Sequence, residues 1–422
     1  MLKGRAFVRS IRVPLVSMRP AFGSSAATWV LMQQVVVRGL VAVKFLAIGR
    51  MLGPAAIGSV SVALLAVAIA ESLSDTGLAQ AVVQAKSTPT RAELGAVWTT
   101  LTARGTMIAL LLIALAPLMN SQFHLGGSLV LLQLAAALPL IRGLASPAYF
   151  MLQRERRFQQ LAGVETSAAF TDCALGLACA WAGTGAYAML IGMIAGETLK
   201  TVVTWTSMSP RPPVRLAWHG IGHYVNFSRW IWAGSIVNLL LNQFDKVLVG
   251  KLLGPVALGA YQMSSKFAQM LLADAAFALG QYLFPTFAAH HRREDGSAAK
   301  LFVRYLAIGT VGLVLLVLVF RAVAAPLFMF VLGPAWMSAV PLFRIFVINM
   351  AIGSVIAMLV AYVRATGVPK VATQAAALQV VALVITVPPA THLWGVTGVE
   401  WSMTVGLAAS AGWMLYRIVK RP

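Results

Sequence analysis

Eight charged side chains lie inside stretches too apolar to solvate them: the bases Arg38, Lys44, Arg142 and Lys246, and the acids Glu71, Asp75, Asp245 and Asp274. On insertion scales a charge at the centre of a bilayer costs about 2.5–3.5 kcal/mol, so such groups are kept where they face a partner or a wet cavity. A base in that setting can hold an anion. An acid can take a proton or a small cation, or merely hold a base in place. Glu71 and Asp75 stand four residues apart, which puts both on one face of a helix. Further ionisable residues lie nearer the ends of apolar runs; Arg104, Glu165, Lys200 and Arg321 can reach the headgroups by snorkelling.

The segments that must position these groups are long and apolar. Hydrophobic residues make up 59% of the 422, and charged ones only 11%. A soluble domain is about one quarter charged, so this chain cannot clothe itself in a wet surface. Apolar runs of about 20 residues recur nearly to the C-terminus, the mark of helical spans rather than an outer-membrane barrel. Twelve spans are expected, near 25–49, 57–80, 95–118, 128–150, 160–182, 185–206, 230–253, 258–282, 302–330, 338–362, 370–390 and 395–416.

One stretch occurs twice. Residues 247–259 read VLVGKLLGPVALG, and 201 positions earlier residues 46–58 read LAIGRMLGPAAIG. Each is an apolar helix stopped at Leu-Gly-Pro, since Gly supplies a left-handed cap and Pro cannot continue the ladder. The duplication divides the chain into halves of six spans. The expected fold is an all-α integral membrane protein of two six-helix lobes related by a pseudo-twofold axis along the membrane normal. Its parts are a basic tail (1–22), an N-lobe (23–206), a linker (207–229) and a C-lobe (230–422) that ends in a short basic tail. On this repeat Asp274 matches the depth of Glu71 and Asp75, and Asp245 stands at the counterpart of Lys44 with Lys246 one position beyond. Scattered ion pairs would give such a pattern. A polar cavity shared by the halves gives it with fewer coincidences.

Net charge is +21. The Lys and Arg residues gather in alternate connections and at both ends, which suits the positive-inside rule, cytoplasmic termini and anionic lipid better than nucleic acid. No phosphate-cradling Gly-rich loop, nucleophile elbow or zinc-protease helix is present, so neither an enzyme nor a cofactor is expected. His219 and His223 stand without a third metal ligand, and Cys173 and Cys179 share one apolar run, so no metal site is expected either.

The segment from Asn242 to Ser264, NxxDKVLVGKLLGPVALGAYxxS, closely resembles the Wzx-type O-antigen and exopolysaccharide flippases of the multidrug/oligosaccharidyl-lipid/polysaccharide exporter superfamily. AxxLSDTGLAQAVVQ from Ala70, LQRERRF from Leu152 and VLGPAWxxAxPLFRI from Val331 look like landmarks of the same family, in the same order. The resemblance implies a bacterial inner-membrane flippase. It would carry undecaprenyl-diphosphate-linked oligosaccharide (O-antigen, capsule or exopolysaccharide repeat units) across the bilayer by alternating access, with the polysaccharide polymerase and chain-length machinery as partners. On depth and charge alone, Lys44, Arg38, Arg142 and Lys246 are then the candidates to neutralise the diphosphate, and Glu71, Asp75, Asp245 and Asp274 those to bind a coupling proton or sodium ion or to hold the cations in place. Competing readings are a drug/cation antiporter or peptidoglycan-precursor flippase of the same superfamily, and a non-transporting membrane scaffold.

Overall fold

A computed structural model describes residues 26–420 apart from 76, 86, 127, 210, 211, 213–221 and 293–296, with backbone alone at 26–28, 30, 31, 222–231, 233 and 273–281. The basic tail, most of the linker, His219 and the side chain of Asp274 lie outside the described residues. Within them the chain is helical and contains no strand. The first half comprises α1 (Ala26–Leu73), α2 (Leu78–Gln84), α3 (Arg91–Gln122), α4 (Leu129–Ala135), α5 (Ala137–Leu144), α6 (Ala148–Arg154), α7 (Phe158–Trp181) and α8 (Tyr187–Thr206). The second comprises α9 (Gly222–Ala268), α10 (Asp274–His291), α11 (Ser297–Val331), α12 (Val340–Ala365) and α13 (Pro369–Val419). A π-helical turn (Gln269–Ala273) joins α9 to α10, and a 3-10 turn (Pro334–Ala339) precedes α12.

Both copies of the repeated turn break a long helix at its glycine. Gly53 has φ 77° inside α1 and Gly254 has φ 83° inside α9, with Pro54 and Pro255 next in line. Only glycine takes that conformation without strain, and proline removes the donor that would have continued the ladder. A third break falls in α13 at Gly395, φ 59°. Among the described residues five helical stretches are long and apolar enough to cross a membrane, and a pair bent by 62° at Ala145–Pro147 makes a sixth if its two pieces cross as one span. This is a multi-pass membrane protein. α1, with 48 residues, and α13, with 51, far exceed the roughly 20 residues that one crossing needs.

The two halves meet chiefly where α1 lies along α9. At the Gly-Pro turns the approach is backbone to backbone. A Cβ on Gly58 would stand 1.7 Å from the carbonyl oxygen of Pro255, and one on Gly259 would stand 2.0 Å from that of Pro54. Fully buried Trp336 donates its indole N–H to the carbonyl of Gly49 at 2.9 Å. Arg50 donates to the carbonyls of Phe330 and Val331. That end of the seam is sealed. At the opposite end, among the described residues, Trp232 donates to the carbonyl of Leu73 at 2.7 Å, and Ser235 donates to the carboxylate of Asp75 at 2.8 Å.

Candidate functional site

Between these two ends lies a cavity of about 380 Å³, within the range of ligand pockets. α1 contributes Val41, Lys44 and Ser61, α7 contributes Asp172, and α9 contributes Gln243, Lys246, Gln262 and Lys266. A smaller hollow of about 200 Å³ adjoins it at Val41, Asp172 and Met193 and is edged by Glu165, Glu197 and Lys200. Lys44 and Lys246, from opposite halves of the chain, therefore line one chamber.

The first half supplies a ladder of ion pairs beside it. Lys44 is buried and pairs with Asp172, while its ammonium also donates to the carbonyl of Met189 at 3.2 Å. Small residues make room for this. A Cβ on Gly176 would lie 3.3 Å from Lys44 Cε, and one on Gly192 would lie 2.8 Å from Asp172 Oδ1, so the glycines let α7 and α8 close around the pair. Arg142 bridges Glu71 at 3.0 Å and Glu197 at 2.8 Å. Lys200 pairs with Glu165 at 2.5 Å and sits 4.6 Å over the ring of Tyr149, whose hydroxyl donates to the same carboxylate. Arg104 donates to the carbonyl of Glu71 at 2.6 Å and to Ser74 at 3.0 Å. Arg321 and Arg344 each donate to the other's backbone carbonyl. These side chains have partners within the bundle instead of reaching for headgroups.

Lys246 stands differently. Its ammonium donates to the carbonyl of Asn242 at 2.6 Å and to Gln243 Oε1 at 3.2 Å, and no carboxylate pairs with it among the described residues. Asp245, one residue away, turns from the chamber into the second half. It accepts from the hydroxyl of Tyr261 at 2.5 Å, and its Oδ1 has no partner among the described residues.

Two expectations change. Asp75 does not share a helical face with Glu71, because α1 ends at Leu73; its carboxylate instead accepts from the N–H of Gly77 at 3.0 Å, in a turn where Gly77 has φ 61°. An aspartate bonding its own backbone two residues on is a turn-former, and here it outcompetes the helix. Arg38 is exposed on α1 with Gln34 Oε1 at 3.1 Å, and is not among the residues that line the main chamber.

Sequence reasoning missed Glu400. It is fully buried in α13, and neither carboxyl oxygen has a partner among the described residues. Asn349 donates to its backbone carbonyl at 3.2 Å and is held in turn by Thr404 at 2.6 Å. Glu400 is the only acid after Asp295, a signal that was present in the sequence. No group of three metal-ligating side chains gathers among the described residues.

The buried pair makes a sharp prediction. Removing one partner of a buried ion pair costs about 3–5 kcal/mol, because the other charge is stranded. Lys44→Met is expected to lower the melting temperature in detergent markedly, and adding Asp172→Leu to restore most of it. Equal stability of Lys44→Met and the parent protein would contradict the pairing.

Among solved structures, the lipid II flippase MurJ in an inward closed conformation superposes with a TM-score of 0.69 at 12% identity, covering 94% of this chain and 88% of that one. An inward-facing multidrug resistance MATE family transporter of the MOP superfamily gives 0.60 at 14% identity, covering 94% and 98%. These likenesses concern the fold. The lipopolysaccharide biosynthesis protein WzxC of Escherichia coli (strain K12) is 21% identical over 326 residues, which is 76% of this chain and 65% of that protein's length. The match thus spans a little under two thirds of this relative, and it agrees with the Wzx-type resemblance carried by the repeated turn. The family model described as "Polysaccharide biosynthesis protein" matches residues 47–341, well over half of the chain, and the chain belongs to that family.

Proposed function

We propose that this protein is a flippase that carries undecaprenyl-diphosphate-linked oligosaccharide repeat units across the bacterial inner membrane by alternating access, a transporter and not an enzyme. The observation that carries the reading is the chamber at the seam, where Lys44 and Lys246 from opposite halves face one space. The breaks at Gly53, Gly254 and Gly395 each divide one long helix in two, which supports twelve spans. The paired Gly-Pro turns, at matching places in α1 and α9, support two six-helix lobes about a pseudo-twofold axis, with the sealed end outward and both termini cytoplasmic. The ladder of α1, α5, α7 and α8 stiffens one wall, while Lys246 offers its charge to the diphosphate and the lipid tail stays in the bilayer. Asp245 and Glu400, buried with unpartnered oxygens beside Tyr261 and Asn349, are the carboxylates best placed to take a coupling proton or cation. Asp274 occupies the matching position in α10 and stays a candidate on its sequence alone.

A drug/cation antiporter would need acids to dominate its chamber, whereas Lys44, Lys246 and Lys266 here outnumber Asp172. The peptidoglycan-precursor flippases usually carry fourteen spans, two more than this chain is read to have. A scaffold has no use for the chamber. The test is reconstitution: purified protein in vesicles should move undecaprenyl-diphosphate-linked oligosaccharide from one leaflet to the other, read by a membrane-impermeant reagent for the sugar. Movement no faster than in empty vesicles, with and without an ion gradient, would remove the proposal.

A further inference from the structure

The seam-facing side of α9 carries a stripe of polar side chains that the chamber does not exhaust. Ser235, Asn238, Asn242 and Lys246 recur at spacings of three and four, so they share one face of the helix. Asn238 and Asn242 are both exposed within a segment that has to cross the bilayer. An amide without a partner costs roughly 2–7 kcal/mol in an apolar medium, so carboxamides are not left facing lipid tails without reason.

The two ends of the stripe fix what it faces. Ser235 meets Asp75 of the first half, and Lys246 lines the chamber with Lys44 and Asp172. The asparagines between them therefore look onto the same seam. Local bonds hold them in register: Asn242 Nδ2 donates to the carbonyl of Asn238 at 2.8 Å and to its Oδ1 at 2.5 Å, and Lys246 donates to the carbonyl of Asn242. From Asn238 to Lys246 the stripe runs about 12 Å along the axis at 1.5 Å per residue. One end is a cation, and the remainder is uncharged groups that both donate and accept hydrogen bonds. That is the pattern an anion with hydroxyl-rich rings attached would need.

We propose that this stripe is a glycan track: with the diphosphate at Lys246, Asn238 and Asn242 hydrogen-bond the hydroxyl and acetamido groups of the uncharged sugars that follow it. The assignment rests on the flippase reading and adds to it the chemical class of the sugar and the residues that read it. Carboxamides carry no charge, so the track grips sugars by hydrogen bonds that can be exchanged one at a time as the glycan moves.

Two probes separate sugar from headgroup: undecaprenyl diphosphate alone, and the same lipid carrying a neutral disaccharide, each titrated onto the full-length protein in nanodiscs. Asn238→Leu with Asn242→Leu should weaken the glycosylated lipid about tenfold and leave the sugar-free lipid unchanged, whereas Lys246→Ala should weaken both. If the leucine pair fails to insert, Asn238→Ala with Asn242→Ala should give the same split. Unchanged binding of the glycosylated lipid overturns the track. So does an equal loss of both probes in a variant that melts like the parent, because the asparagines would then serve the headgroup. A parent protein that binds neither lipid would instead sink the flippase reading, and the track with it.

Discussion

Replacing Lys246 with alanine is expected to slow transport of the lipid-linked oligosaccharide at least tenfold with no loss of folded protein, and Lys246→Glu to abolish it. A hydrogen bond to a charged group contributes about 1.5–3 kcal/mol, and each 1.4 kcal/mol is a factor of ten. The ammonium of Lys246 forms no ion pair with a carboxylate among the described residues, so its removal breaks none. Of its two partners, Gln243 lines the chamber, where its amide can turn to water, and the carbonyl of Asn242 stays in the ladder of α9. Glutamate at this position would repel a diphosphate. The contrast with Lys44, whose loss acts on stability through Asp172, separates binding from architecture within one chamber. Vesicle transport and melting temperature, measured on the same preparations, check both halves of the statement. Parental transport by Lys246→Ala would take the anion away from this side chain.

Much of the fold was legible because its decisive features are local. Gly53 and Gly254 sit in identical Leu-Gly-Pro contexts, and the positive φ each adopts follows from chemistry within three residues. The bend in the fourth expected span follows equally from Pro147. Asp75 was harder. The apolar pattern runs on past Gly77 to the end of α2, and it concealed a turn closed by a single side chain. The ladder could not be read at all in pairs. Lys44 and Asp172 lie 128 residues apart and Arg142 and Glu71 lie 71 apart, and nothing in periodicity says which buried charge will meet which. Glu400 was visible as a lone acid in an apolar run. Its importance comes from carboxyl oxygens that have no partner among the described residues, which only the packing reveals.

On the proposed alternating-access cycle, the two ends of the seam have different parts to play. At the Gly-Pro end, backbones touch and a buried tryptophan closes the gap. At the other end, among the described residues, Trp232 bonds to Leu73 and Ser235 to Asp75. Each is worth about 0.5–1.5 kcal/mol, within reach of thermal opening. On the proposed cycle this end parts first to admit substrate and closes again before the glycines separate.

Joining the halves there should therefore stop the cycle. With Cys173 and Cys179 replaced by alanine, cysteines at Asp75 and Ser235 are linked by a short bifunctional thiol reagent whose bridge a reductant cleaves. Transport is then followed in reconstituted vesicles before linking, after linking and after reduction. Transport that falls to the level of empty vesicles on linking and returns on reduction is the predicted result. Transport that continues at the parental rate across a covalently closed seam would mean that the halves do not part there, and that the chamber between Lys44 and Lys246 is not the path.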